Sequence, residues 1–150
     1  MALTYTKETF RDLMPELPEL FWHHWDELYD DKELMPLDVD WLGYLHTEAT
    51  GKLHILTARD GENLVGYAFI YAGNNKQSKG VTVAATEHFY LKPEYRKGTE
   101  GWIFLNKITE MARDLGAKKL YIVQKSKGSI APLLKRKGFK PEEETFSCLL

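Results

Sequence analysis

Between Leu91 and Trp102 the chain reads Leu-Lys-Pro-Glu-Tyr-Arg-Lys-Gly-Thr-Glu-Gly-Trp, a stretch rich in residue types that hold an anion. Gly98 and Gly101 allow close backbone approach and positive φ. The run separates a strand-like segment, Val81–Leu91, from a helical period that follows. The first free N–H groups of that helix therefore fall here, where its dipole favours negative charge. Arg96 and Lys97 add charge-assisted donors. The chemistry on offer is a diphosphate cradle at a sheet edge, built from Arg96, Lys97, Gly98, Thr99, Glu100, Gly101 and Trp102. Short glycine motifs also serve ordinary strand-to-helix turns, so spacing alone leaves that second use open.

Upstream, Glu87 stands four residues before Leu91 and shares its strand face by the two-residue period, with His88 on the opposite face. A base there suits an amine nucleophile, because an amine of pKa near 10 is about a thousandfold protonated at neutral pH. A solvated or salt-bridged strand carboxylate is the bland alternative. His23 and His24 point about 100° apart on a helix and make a poor metal pair. The single cysteine, Cys148, builds neither a disulfide nor a multi-cysteine zinc cage, so no metal is expected.

The elements that must carry these groups follow from periodicity. Thr6-Lys7-Glu8-Thr9 is read as the start of a short helix, interrupted by Pro15 and Pro18. Pro18 suits the first turn of a helix over Glu19–Tyr29, with Leu20, Phe21, Trp25 and Leu28 on one face. Asp38 is read as the N-cap of a helix running to Ala49, with Gly51 closing it. Strands are predicted at Leu53–Ala58 and Leu64–Tyr71 around an Asp60-Gly61 turn, then at Val81–Leu91 after a polar loop. A helix over Gly101–Leu115, a strand at Leu120–Val123, a helix over Ile130–Lys137 and a final strand at Thr145–Leu150 complete the order. The fold class is α/β (α+β), a mixed, largely antiparallel central sheet with helices on both faces.

The 150 residues suit one domain, 1–150, that buries roughly two-thirds of its unfolded surface. The net charge of −2 hides a polarity: residues 1–48 carry twelve acids against three bases, whereas Lys118–Lys140 contains eight bases and no acid. Two ligands of opposite charge would use such an arrangement, though solvated helix faces produce it too. A general nucleic-acid binder is usually basic overall, and this chain is not. Apolar runs fall short of a membrane span and the N-terminus lacks a signal-peptide core; with the lone cysteine, a cytoplasmic protein is expected.

The loop and its surroundings resemble the GNAT superfamily of N-acyltransferases over most of the chain. The matching features are the loop with its preceding Leu91-Lys92-Pro93, the hairpin residues Leu64-Val65-Gly66-Tyr67, and Lys137-Gly138-Phe139 with Glu143 and Glu144 after it. His24-Trp25 with Glu27, and Pro93-Glu94-Tyr95-Arg96 with Gly98 and Gly101, are most similar to a compact phage-borne group. The resemblance implies the GNAT fold and transfer of an acyl group, most simply acetyl from acetyl-CoA, to a primary amine with Glu87 as general base. It implies that the acyl-pantetheine arm lies strand-like against Phe89, Tyr90 and Leu91, and that Lys125, Lys127, Lys135 and Arg136 approach the adenosine phosphate. It implies an acceptor wall from the acidic first third, with His24, Trp25 and Glu27 touching a small-molecule or protein amine and Trp22, Trp41 and Tyr44 nearby. Two positions depart from the family: Thr99 stands at a loop glycine, and Leu134 replaces a tyrosine that protonates the departing thiolate in many relatives. A CoA-binding or partner-binding module without turnover, acylation of an amino-modified base in phage DNA, and a homodimer are left open; membrane attachment is not expected.

Overall fold

The computed structural model describes residues 2–150. Five strands form one sheet in chain order: β1 (Thr4–Glu8), β2 (Leu53–Asp60), β3 (Asn63–Asn74), β4 (Thr82–Leu91) and β5 (Lys119–Ile122). All neighbours are antiparallel except β4 and β5, which run parallel. The parallel pair needs a crossover, and α4 (Glu100–Asp114) supplies it. Three helices, α1 (Phe10–Leu13), α2 (Leu17–Leu28) and α3 (Trp41–Ala49), precede β2, and α5 (Ala131–Arg136) follows β5.

The central strand β3 explains the layering. Its run Asn-Leu-Val-Gly-Tyr-Ala-Phe-Ile-Tyr is almost continuously apolar, as expected of a strand covered on both faces. Tyr67, Phe69 and Tyr71 pack toward α1, α2 and α3, joining Phe10, Leu13, Leu17, Leu20 and Phe21. Ala68, Ile70 and Ala72 pack the other way, against Phe104, Leu105, Ile108 and Ala112 of α4. Leu134 of α5 belongs to that second core, only 7% exposed. No helix among the described residues is long and apolar enough to cross a membrane.

Asp38 does not cap the helix before β2: Asp40 does, its side chain accepting the Gly43 N–H. Two larger expectations also fail. The segment around Thr6–Thr9 does not start a helix: Thr4–Glu8 is an edge strand paired with β2 from Thr4 opposite Arg59 to Glu8 opposite Ile55. Its threonines and Tyr5 favour a pleated surface, and Thr9 caps the helix that begins only at Phe10, its side chain accepting the Asp12 N–H. Conversely, Thr145–Leu150 is not a strand; Phe146 and Leu150 are exposed, and the segment has no ladder partner. Strand propensity becomes a strand only where a neighbouring edge takes the backbone hydrogen bonds, and the adjoining Glu142, Glu143 and Glu144 favour solvent.

Gly66 marks the closest approach of β3 to β4. A Cβ there would sit 2.7 Å from the Tyr90 carbonyl oxygen and 2.9 Å from Leu91 Cδ1. The backbone oxygen cannot swing aside as a side chain would. Gly66→Ala is therefore expected to destabilise the fold by about 1–3 kcal/mol, read as a lower urea midpoint at unchanged slope.

Candidate functional site: a groove along β4 beside an aromatic cavity

The site begins with an interruption in β4. Phe69 lies opposite His88 and Tyr71 opposite Ala85, so Thr86 and Glu87 together face the single residue Ile70. This is a β-bulge, which bends the strand and re-aims its side chains. On the other side, β4 pairs with β5 only from Val83 to Thr86, and Val123 N–H to the Thr86 carbonyl is the last bond. Beyond it the strands part. Lys92 N–H donates to the Val65 carbonyl, so by alternation the amides of Tyr90 and His88 face β3. The amides of Phe89 and Leu91 consequently face the gap.

That gap is a groove of about 270 Å³ bounded by Glu87, Phe89, Leu91, Val123, Lys125 and Lys127, with Gly101 and Leu133 at its floor. At one end lies the glycine loop. Gly98 has φ +68°, a conformation that favours glycine. Thr99 caps α4 without a side-chain hydrogen bond. Among the described residues, no amide from Lys97 to Trp102 donates to a protein acceptor; the first bond is Ile103 N–H to the Thr99 carbonyl. Such a set of free amides at a fifteen-residue helix start is an anion-binding geometry.

The side chains of the loop are arranged differently from the sequence expectation. Arg96 does not project free donors: its Nε donates to the Leu91 carbonyl at 2.6 Å, and its two terminal nitrogens grip both oxygens of Glu27 at 2.7 and 2.6 Å. Glu27 thus borders the groove rather than the acceptor side, and the guanidinium holds its carboxyl below the usual range. The reason is tertiary, since α2 and the loop are 69 residues apart in sequence. Glu100 is likewise occupied, accepting from the Tyr5 hydroxyl at 2.7 Å. Trp102 is 39% exposed with the Lys137 ammonium over its ring at 3.9 Å. Lys125 and Lys127 line the groove; Lys135 and Arg136 are exposed and do not.

A second cavity, of about 470 Å³, opens on the α1–α3 side. Six aromatic side chains, Phe21, Trp25, Tyr29, Tyr44, Tyr67 and Tyr71, wall it, and Asp38 and Asp40 stand at its rim. His24 and Tyr29 line both spaces, which makes them the partition between groove and cavity. His24 is 7% exposed, stacks on Tyr90 at 4.8 Å and hydrogen-bonds the Tyr67 hydroxyl through Nδ1 at 2.5 Å. Burial, chiefly, lowers its pKa to about 4, so it is neutral at pH 7. Of the other tryptophans, Trp41 stacks in the core on Phe21, and Trp22 is half exposed outside the cavity.

The bulge leaves Glu87 on the groove, which it lines together with Leu91. Leu91 packs in the α4-side core, and the Glu87 charge adds to burial in raising the pKa of Tyr29, which borders both spaces. It also bears on His88, which lines the cavity with a buried Nδ1 that has no partner among the described residues. The extra residue sits at Thr86–Glu87, ahead of the regular register that runs from His88 to Leu91, so the two-residue count from Glu87 to Leu91 holds. No group of three or more His, Cys, Asp or Glu among the described residues is placed to hold a metal ion.

The Acetyltransferase (GNAT) family model matches residues 14–139, most of the chain. The chain belongs to the GNAT acetyltransferase family. As a GNAT acetyltransferase it shares its fold with a ribosomal-protein-alanine N-acetyltransferase from Brucella melitensis biovar Abortus 2308, at TM-score 0.72 and 17% identity over 100% of this chain and 99% of that one. A predicted acetyltransferase from Clostridium acetobutylicum, solved with acetyl-CoA, superposes at TM-score 0.72 and 16% identity over 99% and 96%. An aminoglycoside acetyltransferase from an uncultured soil metagenomic sample, solved with sisomicin, does so at TM-score 0.74 and 12% identity over 99% and 96%. No curated protein sequence matches. Within this GNAT chain Leu134 is core, so the proton donor that a tyrosine there would provide is absent from α5. Tyr29 is the residue that sequence reasoning missed: only the fold carries the end of α2 to the partition, and no local spacing signals it.

His24 gives the site a pH signature. Its folded pKa, about 4, lies below the 6.5 of an unfolded chain, so the unfolded state takes up the proton first as pH falls. Stability is unaffected by this group above pH 6.5 and declines below it, by about 1 kcal/mol per pH unit, until the folded pKa is reached. Urea midpoints followed downward from neutral pH should show that slope, and His24→Gln should flatten it. An unchanged slope in the variant would assign the effect to other groups.

Proposed function

We propose that this chain is an acetyl-CoA-dependent N-acetyltransferase that acylates a cationic primary amine by direct attack, with Glu87 as general base and Tyr29 as proton donor. The observation carrying this reading is the continuity of the groove, from the free amides of Lys97–Trp102 along the unpaired edge of β4 to Glu87, and its meeting with the aromatic cavity at His24 and Tyr29. When bound, acetyl-CoA supplies a thioester whose carbonyl carbon accepts the amine and whose sulfur leaves.

The chain's own residues divide the work. The amides of Lys97–Trp102 bind the diphosphate, with Lys125 and Lys127 adding positive charge along the groove. The N–H groups of Phe89 and Leu91 hold the extended arm as a neighbouring strand would and polarise the carbonyl. Glu87 takes one proton from the entering ammonium, freeing the lone pair that bonds to the acetyl carbon; the nitrogen's second proton passes to solvent once that bond has formed, and Glu87 then releases its own to solvent. Tyr29 gives its hydroxyl proton to the sulfur as the carbon–sulfur bond breaks, and is reprotonated from solvent. Burial and the Glu87 charge keep that phenol protonated at neutral pH. Arg96 acts by position: it ties α2 to the loop and fixes the Leu91 carbonyl, leaving anion binding to the main chain.

Two other readings use single features. A binding module without turnover draws on Leu134, and acylation of an amino-modified base in phage DNA draws on the basic stretch Lys118–Lys140 and on the loop's likeness to phage-borne relatives. Neither uses the aromatic cavity beside Glu87.

Calorimetry should show acetyl-CoA binding to the wild type and none to Gly101→Trp, whose Cβ would start 3.6 Å from Leu133 Cδ2 and send an indole into the groove. Unaltered affinity in that variant would remove the cradle assignment. Glu87→Gln and Tyr29→Phe should each lower kcat by about 10²–10⁴-fold with acetyl-CoA affinity retained. The Tyr29→Phe loss should shrink with an aryl thioester, whose acidic thiol leaves without a proton; an equal loss with both donors would mean that Tyr29 only packs.

A further inference from the structure

We infer that the acceptor is a compact diamine: one amine enters as far as Glu87, an apolar or aromatic spacer fills the cavity, and the second ammonium stays at the rim beside Asp38 and Asp40. This rests on the acetyltransferase reading and narrows its acceptor.

The cavity's lining contains no lysine or arginine, and its two histidines, His24 and His88, are both held toward their neutral forms by burial. The nearest cation to the wall is Lys125, which lies over the Tyr29 ring at 4.3 Å and lines the groove instead. The middle is aromatic, with Trp25, Tyr29, Tyr44 and Tyr71 only partly buried; Lys32 lies over the Trp25 ring at 5.0 Å and Lys125 over that of Tyr29, whereas Tyr44 and Tyr71 carry no such cation among the described residues. Aromatic faces attract ammonium groups and the polarised methylenes beside them. Polar groups gather at the two ends instead. At the inner end is the unpartnered His88 Nδ1, with Glu87 beyond the Tyr29 partition on the groove side. At the rim, Asp40 spends one carboxylate oxygen on the Gly43 N–H at 2.9 Å as the cap of α3, while Asp38 has no hydrogen bond or ion pair among the described residues.

That distribution selects among amines. A polyhydroxylated aminosugar would bring many hydroxyls into an aromatic middle with few partners, and each unpaired polar group costs binding. A monoamine satisfies the inner end and leaves the rim carboxylates to water. A diamine with an apolar spacer matches charge at both ends and apolar surface between. The segment from Asp30 to Asp40 carries five carboxylates and one lysine, and that lysine, Lys32, is engaged with Asp26 at 2.8 Å; the field outside the cavity also draws a dication.

The test measures affinity by calorimetry without acetyl-CoA, and turnover by thiol release. The probes are para-xylylenediamine against para-methylbenzylamine, hexamethylenediamine against hexylamine, and glucosamine. Each diamine should show a Kd and KM about five- to tenfold below its monoamine twin, the scale of two exposed charge contacts, with glucosamine weakest. In the double variant Asp38→Asn, Asp40→Asn that ratio should fall to about one with the monoamines unchanged, since asparagine still caps α3. Twins of equal affinity in the wild type, or a ratio that survives the double substitution, overturn the diamine assignment. Selective diamine binding with no thiol released from any probe supports the assignment while refuting the acetyltransferase reading. Turnover of monoamines or glucosamine as efficient as that of diamines refutes the assignment and leaves the reading intact.

Discussion

A parallel pair of strands must keep register to keep its hydrogen bonds, and β4 and β5 do so only from Val83 to Thr86. There the bulge at Thr86–Glu87 bends β4, and the chain after Ile122 turns away. Five further residues of β4 are left with one edge free. That free edge is unusual in a sheet interior, where unpaired backbone groups are costly unless another partner takes them. The groove, the exposed amides of Phe89 and Leu91, and the placement of Glu87 on the groove all follow from this one parting.

The edges of the site are then fixed by charge pairs linking distant segments. Arg96 binds both oxygens of Glu27 and the Leu91 carbonyl, so the loop, α2 and the end of β4 move as one unit. Arg59 makes a similar bridge away from the groove and cavity, linking Glu8 of β1 to Glu16 before α2. The Arg59 guanidinium holds the Glu8 carboxyl below its usual range. Both pairs are partly solvated, so their value lies in fixing geometry more than in stability. A bidentate guanidinium sets orientation as well as distance, which a lysine in either place would not.

Between these anchors the chain sorts charge by ligand. The groove carries Arg96, Lys125 and Lys127, and the cavity carries Asp38 and Asp40 with no base. The partition between them, His24 and Tyr29, is kept uncharged: burial lowers the imidazole pKa and raises the phenol's. A neutral wall therefore separates the groove with its bases from the cavity with its acidic rim.

The sequence by itself determined the order of most elements, the glycine loop, the double-sided apolar run of β3 and the opposite charges of the two ends of the chain. These are local properties: period, turn residues and composition act within a few neighbouring residues. Tertiary structure decided the rest. Thr4–Glu8 became a strand because β2 offered an edge, and Thr145–Leu150 did not because none was offered. Arg96 was taken by Glu27, Leu134 went to the core, and Tyr29 arrived at the partition, through contacts between segments far apart in the chain. The bulge at Thr86–Glu87 is the clearest instance. Its alternation is set by how many residues face Ile70 across the ladder, and only the pairing of two strands fixes that number.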